Sequence, residues 1–280
     1  MLVELAIGDA YAAAFEFVDR DLTERHELGA YARHPRFGGP AGRYTDDTQM
    51  SIAVAELIVS GAPFTRENLA DGFVQSFKRD PRTGYASGFY EFLKGVADGA
   101  DFLARIRPTS SKNGGAMRAA PVGVHSRIEE VIEKTTLQAK LTHDTTEGIT
   151  AAVAVALMAH FFLYDLGKRH ELAAFLGSHC PGVPWGEPWL GSVDVQGYSA
   201  ARAALTIVQG RDRLTHMLRD AVRLGGDTDT VAAIALGVGS CSREVENDLP
   251  QELVMGLESG TYGRDFLRDL DRRLMSQVTR

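Results

Sequence analysis

Two short acidic runs stand near opposite ends of the chain, and both are made of side chains that bind hard cations. The later run reads Gly225-Gly226-Asp227-Thr228-Asp229-Thr230. It leads straight into Val231, Ile234, Ala235 and Val238 at helical spacing. The earlier run, Thr45-Asp46-Asp47-Thr48, feeds Met50, Ala53, Val54, Leu57 and Ile58, an i, i+3, i+4, i+7, i+8 apolar face. One acid at a helix N-terminus is explained by capping and by the helix dipole. Two acids with flanking hydroxyls, leading into helices this apolar, exceed that need. Four carboxylates brought together must either bind cations or remain protonated. Oxygen donors without histidine or cysteine favour magnesium, manganese or calcium over zinc. The expectation is a magnesium-type centre for two ions, made by two helix N-termini far apart in sequence.

Other residues have plainer readings beside functional ones. Glu16, between Phe15 and Phe17, reads by itself as an exposed acid at a helix end. Asp9, after Gly8, reads as structural support. His143 precedes a helix start; a bond to a loop carbonyl and a contact to ligand remain equally open. Lys112-Asn113-Gly114-Gly115 could form a backbone nest for phosphate, but it lacks the Walker pattern and alone reads as an ordinary turn. Arg118 reads as a structural ion-pair former. Trp185 and Trp189 could stack a base, although such residues more often plug a loop onto a core.

The elements that must position these groups are helical. A helix is expected over 2–17, then a polar loop over 18–43 containing Gly38-Gly39-Pro40. The first acidic helix runs to about Ser60, and another from Thr65 to about Lys78. Asp80-Pro81-Arg82-Thr83-Gly84-Tyr85 breaks it, and a helix resumes over 86–96. Helices are expected over 127–140, over the alanine-rich stretch 151–160, and over 200–208 and 213–224. Two more lie near Gln251 and Phe266. The stretch 181–197 carries Pro181, Pro184, Pro188 and Gly191 and reads as an ordered surface loop. Convincing β runs are absent, so the fold class is all-α, an irregular packing of many short helices. The two acidic runs need each other, which favours one domain over 1–280 despite its length.

A formal charge of −7 argues against a general nucleic-acid-coating role. No segment reaches membrane-spanning length without a charge, so no membrane role is expected. Glu4 and Asp9 interrupt the apolar N-terminus, which makes a poor signal peptide. Two cysteines, Cys180 and Cys241, in no metal-like spacing suit a reducing cytoplasm.

Together these pieces resemble the ADP-ribosylglycohydrolase family, which includes the dinitrogenase-reductase-activating glycohydrolases. The matching pieces are Gly8-Asp9-Ala10 with Glu16 downstream, Thr45-Asp46-Asp47-Thr48, Asn113-Gly114-Gly115-Ala116-Met117-Arg118, Thr142-His143 and Gly225-Gly226-Asp227-Thr228-Asp229-Thr230. They occur in the family's order and span most of the chain. The resemblance implies an all-α orthogonal packing and a dinuclear Mg2+ or Mn2+ centre. By position, Thr45, Asp46, Asp47, Asp227, Asp229 and Thr230 look like the metal ligands. Glu16 looks like the acid that assists catalysis, which reverses its plain reading, and Asp46 is the other candidate to take a proton from water. Asn113, Gly114, Gly115 and His143 look like contacts to ADP-ribose. The implied reaction is hydrolysis of the bond between ADP-ribose and an acceptor, with nucleic acid entering only as a modified substrate; separately from the resemblance, a monomer is expected. Two alternatives stand beside it. One is a non-catalytic ADP-ribose or nucleotide binder with a regulatory or immunity-type role. The other is a phosphate-ester hydrolase, disfavoured because no basic cluster flanks either aspartate run.

Overall fold

In the computed structural model, residues 1–24, 26–36 and 39–279 are described; of the expected loop over 18–43, Arg25, Phe37 and Gly38 lie outside them. The described residues form fifteen α-helices. In chain order these are α1 (Leu2–Ala12), α2 (Arg20–Glu24), α3 (Asp46–Ser60), α4 (Arg66–Arg79), α5 (Ser87–Gly95), α6 (Gly99–Arg105), α7 (Gly114–Met117) and α8 (Ile128–Lys140). They continue with α9 (Thr146–Leu163), α10 (Leu172–His179), α11 (Gly197–Gly210), α12 (Leu214–Leu224), α13 (Thr228–Gly239), α14 (Gln251–Gly256) and α15 (Arg264–Met275). Among the described residues β pairing is confined to isolated bridges. The class is all-α.

The helices divide by pattern into core and shell. Every residue of α13 is buried, as is α9 from Ala151 to Leu163, and neither has a polar face to offer water. The window Thr146–Leu163 is long and apolar enough to cross a membrane by composition, but 78% of it is buried inside the protein, which makes it a core helix. It begins cleanly because the Thr145 hydroxyl accepts the Gly148 amide at 3.1 Å. Shell helices carry one stripe. In α15 the buried residues are Leu267, Leu270 and Leu274, and in α12 they are Leu214, Thr215, Met217, Leu218, Ala221 and Val222.

Two contacts position the site. Helix α1 lies directly on α13, so close that a Cβ on Gly8 would fall 2.5 Å from the Ala232 carbonyl oxygen. That approach sets the next residue, Asp9, against the start of α3. Helix α1 also ends earlier than its composition suggests. It stops at Ala12, passes through a 3-10 turn over Ala13–Phe15, and releases Glu16 into an extended conformation (φ −63°, ψ 123°). Glu16 therefore leaves the helix.

Helices α2, α6 and α10 were not expected, since each has only five to eight residues and too few turns to show a period. Residues 181–196 form the expected irregular segment. Trp185 is buried there and its indole donates to the Cys180 carbonyl at 2.8 Å, so it plugs the loop onto the core. Trp189 is partly exposed, 5.5 Å beneath the Arg202 guanidinium.

Candidate active site

Helices α3 and α13 begin at one place. Their N-terminal residues Asp46, Asp47, Asp227, Asp229 and Thr230 line a single cavity of about 610 Å3 together with Glu16. Glu16, Asp227 and Asp229 each offer a carboxylate oxygen within 4.8 Å of the others.

Capping does not account for these acids, because the cap of α3 comes from elsewhere. Buried Asp9 accepts the Thr45 amide at 3.0 Å and hydroxyl at 2.8 Å, the Thr48 amide at 3.0 Å, and the Thr48 hydroxyl. Asp9 thus does for α3 what an N-cap side chain does, from another helix. Asp46 and Asp47 are left without a capping task, and Asp47 Oδ1 is buried with no hydrogen-bond partner among the described residues. In α13, Asp229 accepts the amide of Thr230 at 3.0 Å, and Asp227 accepts from the side-chain amide of Asn113.

Burying this much negative charge raises every acid in the group. Burial first, then Asp9, holds Asp46 well above the usual carboxylate range. Burial and then Asp46 do the same for Asp47; burial and then Glu16 do so for Asp229. Burial raises Asp227, partly offset by hydrogen bonds from Asp229, Asn113 and Thr230. Burial pushes Asp9 up to about 6. Half-buried Glu16 is pushed up to about 7 by burial, then by Asp227 and Asp9. A set of oxygen donors that repel one another, one of them orphaned, fits a hard divalent cation. Thr45 fits the same set. A hydroxyl that ligates a cation must send its proton elsewhere, and Asp9 takes it.

Of the expected site residues, Glu16, Asp46, Asp47, Asn113, Gly114, His143, Asp227, Asp229 and Thr230 line the cavity. Thr45 and Gly115 lie behind it; the Gly115 carbonyl accepts from Gln138 at 2.8 Å. Among the described residues, no loop carbonyl holds the His143 ring. Its Nδ1 faces the Thr142 hydroxyl at 2.6 Å, and burial followed by the Arg118 charge pushes the imidazole down to about 3.

Sequence reasoning missed Tyr85, Phe89, Phe92, Ile106 and Arg107 elsewhere on the lining, and had Lys112 only as part of a possible phosphate turn. The Phe89 and Phe92 rings stack at 5.9 Å, and the Tyr85 hydroxyl donates to Gln49 at 2.8 Å. The sequence presents Asp80 to Tyr85 only as a helix breaker. Gly84 has φ +102°, and a Cβ there would lie 2.0 Å from Asp46 Oδ1. Its place next to a Tyr and shortly before two Phe residues was the signal available. Gly226 (φ +80°) has the same role under α13, where a Cβ would fall 1.9 Å from the Val193 carbonyl oxygen.

The profile of the ADP-ribosylglycohydrolase family matches residues 1–280. The chain belongs to the ADP-ribosylglycohydrolase family. Within it, the chain is 30% identical over 189 residues to ADP-ribosylhydrolase ARH3 of Homo sapiens, covering 61% of this chain and 51% of that protein. It is 28% identical over 256 residues to ADP-ribosylarginine hydrolase Tri1 of Pseudomonas putida (strain GB-1), covering 84% and 67%. The matched region thus spans about half the length of the human ARH3. A solved structure described as an ADP-ribosylglycohydrolase-related protein complex superposes with a TM-score of 0.78 at 21% identity, over 99% of this chain and 96% of that one. At that identity the likeness shows that the fold is shared with an ADP-ribosylglycohydrolase-related protein.

Proposed function

We propose that the chain hydrolyses the glycosidic bond between ADP-ribose and an acceptor and releases free ADP-ribose. The observation that carries this reading is the convergence of Asp46, Asp47, Asp227, Asp229 and Glu16 on one cavity that is also lined by Tyr85, Phe89 and Phe92. Family membership and the names of the similar hydrolases support it. A volume of about 610 Å3 lies within the usual range for small-molecule sites.

Thr45, Asp46, Asp47, Asp227, Asp229 and Thr230 would hold two divalent cations, Mg2+ or Mn2+. Such ions supply Lewis acidity: they fix sugar hydroxyls and make water a better nucleophile at neutral pH. The protein's own residues do the rest. Glu16 stands on extended backbone, half-buried, beside Asp227 and Asp229. In this reading it takes a proton from the attacking water and gives one to the departing acceptor. Asp46 is buried at the helix start and is better placed to ligate, although it remains the second candidate base. Tyr85, Phe89 and Phe92 offer ring faces to the base and keep water from that side. Arg107 and Lys112 supply positive charge for the diphosphate. The side-chain amide of Asn113 is committed to Asp227, so its first task is to orient that carboxylate.

The acceptor is tested with a panel of ADP-ribosylated arginine, serine and nucleic-acid substrates, each with Mg2+, with Mn2+ and with chelator. The expected result is cation-dependent release of ADP-ribose from at least one class. Tight ADP-ribose binding with no release from any substrate would turn the reading into that of a binding protein.

A further inference from the structure

Beside the cavity runs a short chain of buried polar groups. Arg118 is 1% exposed and held on three sides. Its Nε donates to Gln138 Oε1 at 2.7 Å, its Nη2 donates to the Gln138 carbonyl at 3.1 Å, and its guanidinium lies 4.5 Å from the Phe73 ring centroid. The same Nη2 donates to Thr142 Oγ1 at 2.7 Å, and Thr142 Oγ1 lies 2.6 Å from His143 Nδ1. The far side of the imidazole meets the glycine turn, where a Cβ on Gly114 would come within 2.9 Å of His143 Cε1 and 3.2 Å of Nε2.

The direction of these bonds follows from what each group can do. A guanidinium only donates. The Thr142 hydroxyl therefore accepts from Arg118 and has one proton to place. His143 Nδ1 is its remaining described neighbour. Were Nδ1 protonated, the hydroxyl would accept twice and its own proton would be buried without a partner, which folded proteins avoid. Nδ1 is thus the acceptor, and Nε2 carries the hydrogen.

We propose that Arg118 and Thr142 are positioning residues that lock His143 as the Nε2–H tautomer, so that it meets the ADP-ribosyl ligand as a neutral hydrogen-bond donor. The inference rests on the reading of this cavity as an ADP-ribose site. It assigns His143 no proton transfer and no role as a cation for phosphate. The group it recognises is an acceptor oxygen of the ribose or diphosphate. Burial and the Arg118 charge keep the imidazole from protonating, which agrees with the geometry.

The test is long-range 1H–15N correlation NMR on the His143 ring, in the wild type and in Thr142→Val, Thr142→Ala and Thr142→Ser, with ADP-ribose affinity and steady-state kinetics measured in parallel. The wild type should show hydrogen on Nε2 only, and an ADP-ribose affinity with no His143-linked step between pH 5 and 8. Thr142→Val and Thr142→Ala should show mixed tautomers and about a tenfold higher Kd and KM, with kcat changed about twofold or less. Thr142→Ser should restore both. Hydrogen on Nδ1 in the wild type, or unchanged tautomer and affinity in both Val and Ala variants, overturns the lock. A wild type that keeps the Nε2–H tautomer but neither binds nor releases ADP-ribose overturns the functional reading of the cavity instead.

Discussion

Asp9 Oδ2 accepts the Thr48 amide at 3.0 Å across 39 residues of sequence, so helix α3 is capped by a carboxylate of helix α1. This single contact ties the Gly8-Asp9 motif to the first acidic run. It leaves Asp46 and Asp47 free to face the cavity.

Asp9→Ala should therefore be felt both in stability and in cation binding. It strands the amides of Thr45 and Thr48 in a buried site, at a cost of about 2–5 kcal/mol. The start of α3 should loosen, and Mn2+ affinity should fall although Asp9 does not line the cavity. Urea denaturation and Mn2+ titration measure the two effects. A variant with wild-type stability would mean the cap is idle.

Gly84→Ala should separate folding from activity. The new methyl group would meet Asp46 Oδ1, the end of a side chain, and Thr45 Cβ at 2.9 Å, at a φ that L residues rarely adopt. The side chain of Asp46 gives way more easily than backbone does. Circular dichroism should stay near wild type while kcat/KM drops about a hundredfold or more. Full activity would show that Asp46 tolerates displacement.

Asp229→Ala should abolish ADP-ribose release and weaken Mn2+ binding, yet raise the melting temperature of the cation-free protein near neutral pH. It removes one of several buried like charges while leaving the fold's apolar contacts intact. Calorimetry with and without Mn2+ checks both halves. Unimpaired turnover in this variant would remove the metal claim.

The cation-free protein should lose stability as pH rises from 6.5 to 8. In the unfolded chain these carboxyls titrate near 4. In the fold, Asp9 is held up at about 6 and Glu16 at about 7, and burial first, then mutual repulsion, also holds Asp46, Asp47 and Asp229 well above the usual carboxylate range. Their contribution is complete below about pH 4 and is lost as pH climbs through the folded values, because the native state must then release protons it holds more tightly. His143, pushed down to about 3, acts with the opposite sign, but only below about 6.5. His26, His125 and His160, also lowered, share the sign of His143. The N-terminal amine, held up at about 11 by Glu4 and Asp271 against burial, joins the carboxyls as pH nears 8. Over 6.5–8 the groups that weaken the fold dominate, and a loss of about 2 kcal/mol, or roughly 5 °C, is expected. Added Mg2+ or Mn2+ should reverse it. A melting temperature flat over this range, and indifferent to cation, would contradict the electrostatic account.

The helical class was legible because α3, α9, α12 and α13 are long enough to show a 3.6-residue period. The two acidic starts were visible for the same reason: carboxylates stood where an apolar period began. Glu16 was not legible from its neighbours. Its chain continues the composition of α1, and only packing against α13 shows that the helix stops at Ala12 and turns the carboxylate out toward Asp227 and Asp229.

What the sequence determined alone was local: which segments are helices, where Asp46, Asp47, Asp227 and Asp229 sit on them, and that so many acids exceed what capping requires. The tertiary structure decided what those residues meet. It placed Gly84 under Asp46, Asp9 on Thr48, and Arg118 on Thr142 and so on His143. Period and propensity act over a few residues along the chain. These contacts join residues 24 to 39 apart in sequence, and they form only when buried helices close on one another.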